Sequence, residues 1–323
     1  MTTRGASWLV TSAFVIVVAA LWITWQFNSD IKAASANAAQ GGVVIDTRCG
    51  AIEYQEAGTG TPLLMVHGSG GGHDQGMSFA GKLTERGVRV IAVSRFGYLR
   101  TPMPPDASPE AQADAHVCLL DALGIAKAAV AGGSAGGPSA LQMAIRHPDR
   151  VSALVLLVPL AYKPSTSADS AKPLAPWAEA LLMQLIGSDF VFWAALHVAR
   201  DQVIKYVLAT PPELVSAASP EEQARINAML GHILPVSQRA AGLRSDSVLG
   251  KSLEPAALEK VRAPTLIISA RDDRYGTYAN AQYTASQIKS ARFIRFEHGG
   301  HVWVGHDDEV MHEITELMER SKP

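Results

Sequence analysis

Short runs that are apolar almost throughout alternate along this chain with longer stretches of helical periodicity. The runs are TPLLMVHG (61–68), VRVIAVS (88–94), AAVAGG (128–133) and VSALVLLVP (151–159). Between them, EAQADAHVCLLDALGI (110–125) and PSALQMAIRHP (138–148) space their apolar residues as helices do. A strand with one wet face alternates apolar and polar residues, whereas these runs are apolar at successive positions, so both faces must be covered. Parallel strands joined by crossover helices meet that condition. VVIDT (43–47) and AIEYQEAG (51–58) read as an opening hairpin. The expected class is α/β, with a mostly parallel sheet and helices on both faces.

The alternation breaks once. From Leu160 to about Leu253 no strong strand candidate occurs, and apolar helical runs such as PWAEALLMQLIG and DFVFWAALHVARDQVIKYVLA take over. It resumes with APTLIISARDD (263–273), YANAQYTASQI (278–288), ARFIRFEHGGH (291–301) and a final helix, DDEVMHEITELMER. A helical insertion in a regular sheet reads as a cap. The expected organisation is an N-terminal anchor (1–30), a small polar tether (31–42), a core (43–159 and 254–323) and a helical cap (160–253).

Trp8 to Phe27 holds no charged residue. Such a helix, at about 1.5 Å per residue, spans the roughly 30 Å hydrocarbon core of a bilayer. Trp8 stands at one end and Trp22 and Trp25 near the other, where interfacial aromatics belong. The segment is expected to be an uncleaved single-pass membrane helix, with Arg4 inside and the bulk of the chain outside the cytoplasm. The alternative is a signal peptide cleaved near AASANAA (33–39), leaving a secreted or periplasmic product. The formal charge of −2 gives no case for a nucleic-acid partner. The two cysteines, Cys49 and Cys118, make no disulfide framework. Cys118, among apolar residues at helical spacing, is expected to be a small core residue rather than one end of a bridge.

AGGSAGG (131–137) would pass for a linker, but a strand precedes it and a helix follows. Gly132 to Gly136 match G-x-S-x-G, a sharp strand-to-helix turn that lifts its serine above the sheet edge. Cβ atoms at Gly132 or Gly136 are expected to clash with neighbouring backbone. With this turn in place, the chain resembles the α/β-hydrolase family of serine hydrolases over roughly residues 43–159 and 255–320. The resemblance implies a sheet of the eight-stranded type and a Ser-His-Asp triad.

A serine needs a base, and the base an orienting carboxylate. The family's order is serine, acid, histidine, and the chain obeys it: Ser134, then SARDDRYG, then HGGH. By resemblance Asp273 is the acid, with Asp272 an open alternative, and His301 is the base. His298 and His306 are expected to be loop or surface residues, and no metal or cofactor is expected. The oxyanion donors implied are the N–H of Ala135 and one from HGSGGGHDQG, either Ser69 or Gly70. That glycine-rich loop fits neither nucleotide-binding pattern. SRFGYLRTPMP (94–104) resembles the family's turn after its fourth strand, with Arg95 where an acidic residue is usual.

Ser134 argues against chemistries that use an aspartate at the elbow. The resemblance implies an esterase- or lipase-like hydrolase cleaving a carboxyl ester, thioester or amide. C–C bond hydrolysis, cofactor-free haloperoxidase or lyase chemistry with the same triad, and a non-catalytic binding protein are the alternatives. Trp177, Met183, Phe190, Phe192 and Trp193 either line an apolar pocket for an acyl or aromatic substrate or pack the cap's own core.

Overall fold

A computed structural model describes residues 3–164, 184 and 187–321. Eight strands form one sheet: β1 (Val43–Thr47), β2 (Gly50–Ala57), β3 (Thr61–Val66), β4 (Val88–Val93), β5 (Ala128–Gly133), β6 (Val151–Leu157), β7 (Thr265–Ala270) and β8 (Ala291–Phe296). Their spatial order is β1-β2-β4-β3-β5-β6-β7-β8. Pairing is antiparallel from β1 to β2 and β2 to β4, and parallel from β4 onward. The side-chain period of two divides the core. Leu63 and Met65 of β3 join one apolar cluster, and Leu64 and Val66 join the other. On the first face lie α2 (His73–Ala80) and α11 (Asp307–Arg320); on the second lie α3 (Pro109–Ala122), α4 (Gly137–Arg146) and α10 (Thr277–Gln287).

The cap contributes α5 (Asp189–Val198), α6 (Arg200–Tyr206), α7 (Pro212–Ala217), α8 (Pro220–Gly231) and α9 (Ala240–Leu249). The apolar run over 189–209 is two helices rather than one, broken at Ala199, whose ψ of 37° leaves the helical region. Cap residues Ile204, Ile226 and Met229 are buried in the same cluster as Met65, Leu157 and Trp303. The cap therefore shares the core of the sheet's first face.

The segment expected to be a tether is helix as far as Ala39. A single helix, α1 (Thr3–Ala39), runs through it. Residues 11–25 are exposed, including Phe14, Ile16, Leu21 and Trp22, whereas Phe27, Ile31 and Ala34 pack against the core. Small and polar residues suggest a tether, but alanines carry high helix propensity and this stretch finds a docking partner. Phe27 meets Phe190 and Trp193 edge-on, with ring centroids 5.3 and 5.6 Å apart. The Trp193 indole N–H donates to Asp30 (2.8 Å), and His73 Nε2 lies 3.0 Å from the Ala38 carbonyl oxygen. Two of the aromatics expected to line a pocket or pack the cap's own core, Phe190 and Trp193, thus cover α1. Trp177 and Met183 lie outside the described residues.

The cysteines also depart from expectation. Cys49 and Cys118 form a disulfide, with Cα atoms 6.0 Å apart. The β1–β2 turn lies over α3, where Arg48 also pairs with Asp121 at 2.9 Å. Residues 69 positions apart come together through the sheet, which helical spacing around Cys118 could not reveal.

Candidate active site

β5 ends at Gly133 and α4 begins at Gly137, leaving Ser134–Gly136 as a tight turn. Ser134 sits at φ 48°, a left-handed conformation that strains a residue bearing a β-carbon. Such strain, on the order of 1–3 kcal/mol, persists only where the surroundings over-determine it. A Cβ on Gly132 would lie 2.8 Å from the Gly136 carbonyl oxygen; one on Gly136 would lie 2.5 and 2.6 Å from the carbonyl oxygens of Val66 and His67. The Ser134 carbonyl accepts from the Leu160 N–H at 2.9 Å. Among the described residues the Ser134 hydroxyl makes no hydrogen bond. Ala135 lies in the first turn after the strand, where backbone N–H groups have no intrahelical acceptor.

β7 delivers Asp272 and Asp273, and the loop after β8 delivers His301. His301 Nδ1 stands 2.8 Å from Asp273 Oδ2, and both residues are buried. Asp273 also accepts from the Tyr275 N–H (2.9 Å) and the Thr277 hydroxyl. Burial pushes its carboxyl upward, but the His301 charge and the bonds from His301, Thr277 and Tyr275 outweigh this and hold it below its usual range. Asp272 does other work: it accepts the N–H groups of Gly299 (3.2 Å) and Gly300 (2.8 Å), bracing the loop that carries His301. The His301 N–H donates to the Thr210 hydroxyl of the cap at 3.0 Å. His298 is largely exposed, and His306 stacks on Phe296 with centroids 3.8 Å apart.

The second glycine-rich turn follows β3. Gly68 passes against the elbow, where a Cβ would lie 3.1 Å from Ser134 Cβ. Its N–H donates to Gln75 Oε1 at 2.9 Å, and the Gly70 N–H donates to the Tyr98 hydroxyl at 3.3 Å. The Ser69 N–H has no acceptor among the described residues. Of the two sequence candidates, Gly70 is thus engaged and Ser69 is free to donate. His67 is buried, its Nε2 accepting the Arg95 N–H (3.0 Å) and its Nδ1 2.6 Å from the Gly68 oxygen. Nδ1 therefore carries the proton. Burial, with the Arg95 charge, holds this imidazole well below its ordinary pKa.

Sequence reasoning missed Gln75, Tyr98 and Asp246. Gln75 lies in HGSGGGHDQG itself and offers an amide within reach of the turn. Asp246 gave no signal, since it reaches Arg95 from 151 residues away. Two buried arginines near the turn are paired: Arg95 with Asp246 and Arg239 with Asp74, each at 2.7 Å.

The family model for the alpha/beta hydrolase fold matches residues 61–304. A 2-hydroxymuconate semialdehyde hydrolase of Pseudomonas sp. (strain CF600) is 41% identical over 106 residues, which cover 32% of this chain and 38% of that relative. The alignment thus spans well under half of that relative. A 2-hydroxy-6-oxo-6-phenylhexa-2,4-dienoate hydrolase of Comamonas testosteroni is 28% identical over 77% of this chain and 84% of its own length. Among solved structures, an alpha/beta hydrolase fold protein from Nakamurella multipartita superposes with a TM-score of 0.70 at 29% identity, covering 87% of this chain and all of that one.

Proposed function

From the premise that this chain belongs to the α/β-hydrolase fold family and is a hydrolase, we propose that it cleaves a neutral ester of a small apolar acid through Ser134, His301 and Asp273. The observation that carries this is the 2.8 Å contact between His301 and Asp273, on loops at the same edge of the parallel sheet as the strained Ser134 elbow. With Nδ1–H donating to Asp273, His301 Nε2 is the free base that takes the Ser134 proton as Oγ attacks the carbonyl carbon. The N–H groups of Ala135 and Ser69 receive the oxyanion. His301 then protonates the departing alkoxide, leaving an acyl-serine. Water, deprotonated by the same imidazole, releases the acid and restores Ser134. A thioester or amide runs the same sequence with a thiolate or amine leaving.

A second reading, C–C bond hydrolysis, is favoured by the names of the Pseudomonas and Comamonas relatives. Their substrates are named as acids, and a buried carboxylate needs a cation. Among the described residues the two buried arginines, Arg95 and Arg239, are already paired with carboxylates, which supports the neutral ester. A panel of p-nitrophenyl esters of increasing chain length, set against a 2-hydroxy-6-oxodienoate, separates the two. Ester turnover that disappears in Ser134→Ala is expected; turnover of the dienoate alone overturns the ester reading.

The exposed part of α1 further supports an uncleaved membrane anchor. Cleavage near residues 33–39 would strip Phe27, Asp30 and Ile31 from their contacts with the folded body. The disulfide fits an oxidising compartment outside the cytoplasm. Carbonate-washed membranes should retain the chain with its original N-terminal region; a soluble product beginning after residue 33 contradicts the anchor.

A further inference from the structure

The turn after β3 is held by side chains that converge on one cap residue. Asp246 of α9 is buried and takes four hydrogen bonds: from Arg95 Nη1 (2.8 Å), Arg95 Nη2 (2.7 Å), the Tyr98 hydroxyl (2.5 Å) and the Ser69 hydroxyl (2.8 Å). Each donor touches the turn or belongs to it. Arg95 Nη2 also donates to the Gly68 oxygen at 3.2 Å, Tyr98 receives the Gly70 N–H, and Ser69 lies in the turn. Gly68, Ser69 and Gly70 are therefore each fixed by a group that Asp246 fixes in turn. What remains unbonded in the middle is the Ser69 N–H.

The same cap segment seats on the 95–99 turn through its backbone. The Gly242 N–H donates to the Gly97 oxygen (3.0 Å), and the Leu99 N–H donates to the Gln238 oxygen (2.9 Å). Gly242 lies flat on the Tyr98 ring, where a Cβ would fall 2.1 Å from a ring carbon. Arg95 and Asp246 line a cavity of about 20 Å³ together with Ala135, which places the ion pair beside the other candidate oxyanion donor. Burying a charge pair sacrifices hydration, so such a pair is weak evidence of a stability role. Here it arrives with two further polar links to the turn, which a purely structural pair would not require.

We propose that Asp246 is a positioning residue for the oxyanion turn, so that seating the cap and aligning the Ser69 N–H are one event. The inference rests on the ester-hydrolase reading for its chemical consequence, but its structural half stands on the turn itself. Arg95, standing where the family resemblance places an acid, thereby acquires a function: it meets its carboxylate in the cap.

The test uses the full-length protein in detergent, as wild type, Asp246→Asn and Tyr98→Phe. Tyr98→Phe leaves the Arg95–Asp246 pair intact and covers the case in which Asp246→Asn does not fold. Amide exchange of a peptide spanning 67–72 should accelerate at least about tenfold in both variants, while a β5 peptide spanning 128–133 is unchanged. With a p-nitrophenyl ester, kcat should fall about 10- to 100-fold with KM within about threefold, as expected when a donor is misplaced rather than lost. Unchanged exchange over 67–72 overturns the proposal. So does a KM effect without a kcat effect, which would make Asp246 a substrate contact. If wild type turns over no ester, the ester reading fails, and exchange alone still decides the positioning claim.

Discussion

Two glycine-rich turns meet at the carboxyl edge of this sheet, and they are built on different principles. The elbow over 132–136 is held by steric exclusion: its glycines leave no room for a β-carbon against neighbouring carbonyls. The turn over 67–71 is held by polar side chains drawn from α2, the 95–99 loop and the cap. The first is local and hard, because overlap energies rise steeply as atoms are brought closer. The second is distributed, and its geometry depends on a cap helix being seated. The placement of Ser134 is thus intrinsic to the core, whereas on our proposal that of the Ser69 N–H is conditional on the cap.

The largest expected effect lies in the pair that serves the elbow. Asp273→Asn should lower kcat on an ester by roughly 10³–10⁴-fold through the wrong imidazole tautomer, as such substitutions do elsewhere. Asp272→Asn, which only loosens the bracing of Gly299 and Gly300, should lower it about tenfold. Equal losses in steady-state kinetics would remove the distinction between the two aspartates.

Next in size is a direct challenge to the elbow's packing. Gly136→Ala should destabilise by roughly 3 kcal/mol, because the new methyl meets two backbone oxygens that cannot move aside. Urea unfolding reads this, and a loss below about 0.5 kcal/mol would mean the elbow is not sterically fixed.

The smallest effect distinguishes the polar side. His67, in the second turn, is kept neutral by burial and the Arg95 charge, and burial and Arg95 also take His116 down to about 3 from 6.5. Both folded values lie below the unfolded one, so below pH 6.5 the unfolded chain binds protons that the folded chain refuses. The contribution is therefore full above pH 6.5 and is lost as pH falls toward the folded values. Urea midpoints should fall between pH 7 and pH 4, and His67→Gln should flatten that slope. A midpoint that holds steady over this range contradicts the burial of neutral imidazoles.

What the sequence made legible follows the same division. The alternation of apolar runs and helices sets the parallel strands in place, and the elbow could be read because its glycines and serine lie within five residues. Asp273 and His301 could be proposed only through the family resemblance, and the structure brings their side chains to 2.8 Å of each other. The Arg95–Asp246 pair, the Cys49–Cys118 bridge and the docking of Phe27 on Trp193 were not legible. Each joins residues far apart in the chain through an arrangement that only the assembled sheet and cap define. The tether reading failed for a related reason. Small residues are compatible with both coil and helix, and contacts with α5 and α2 select the helix.

The central claim is that Ser134 is a nucleophile activated by His301. Stoichiometric treatment of the full-length protein with a fluorophosphonate, followed by peptide mass analysis, tests it most directly. The account predicts a single adduct on Ser134, absent in Ser134→Ala and formed at least about a hundredfold more slowly in His301→Ala. An unlabelled wild type, or a label that persists in Ser134→Ala, would contradict it.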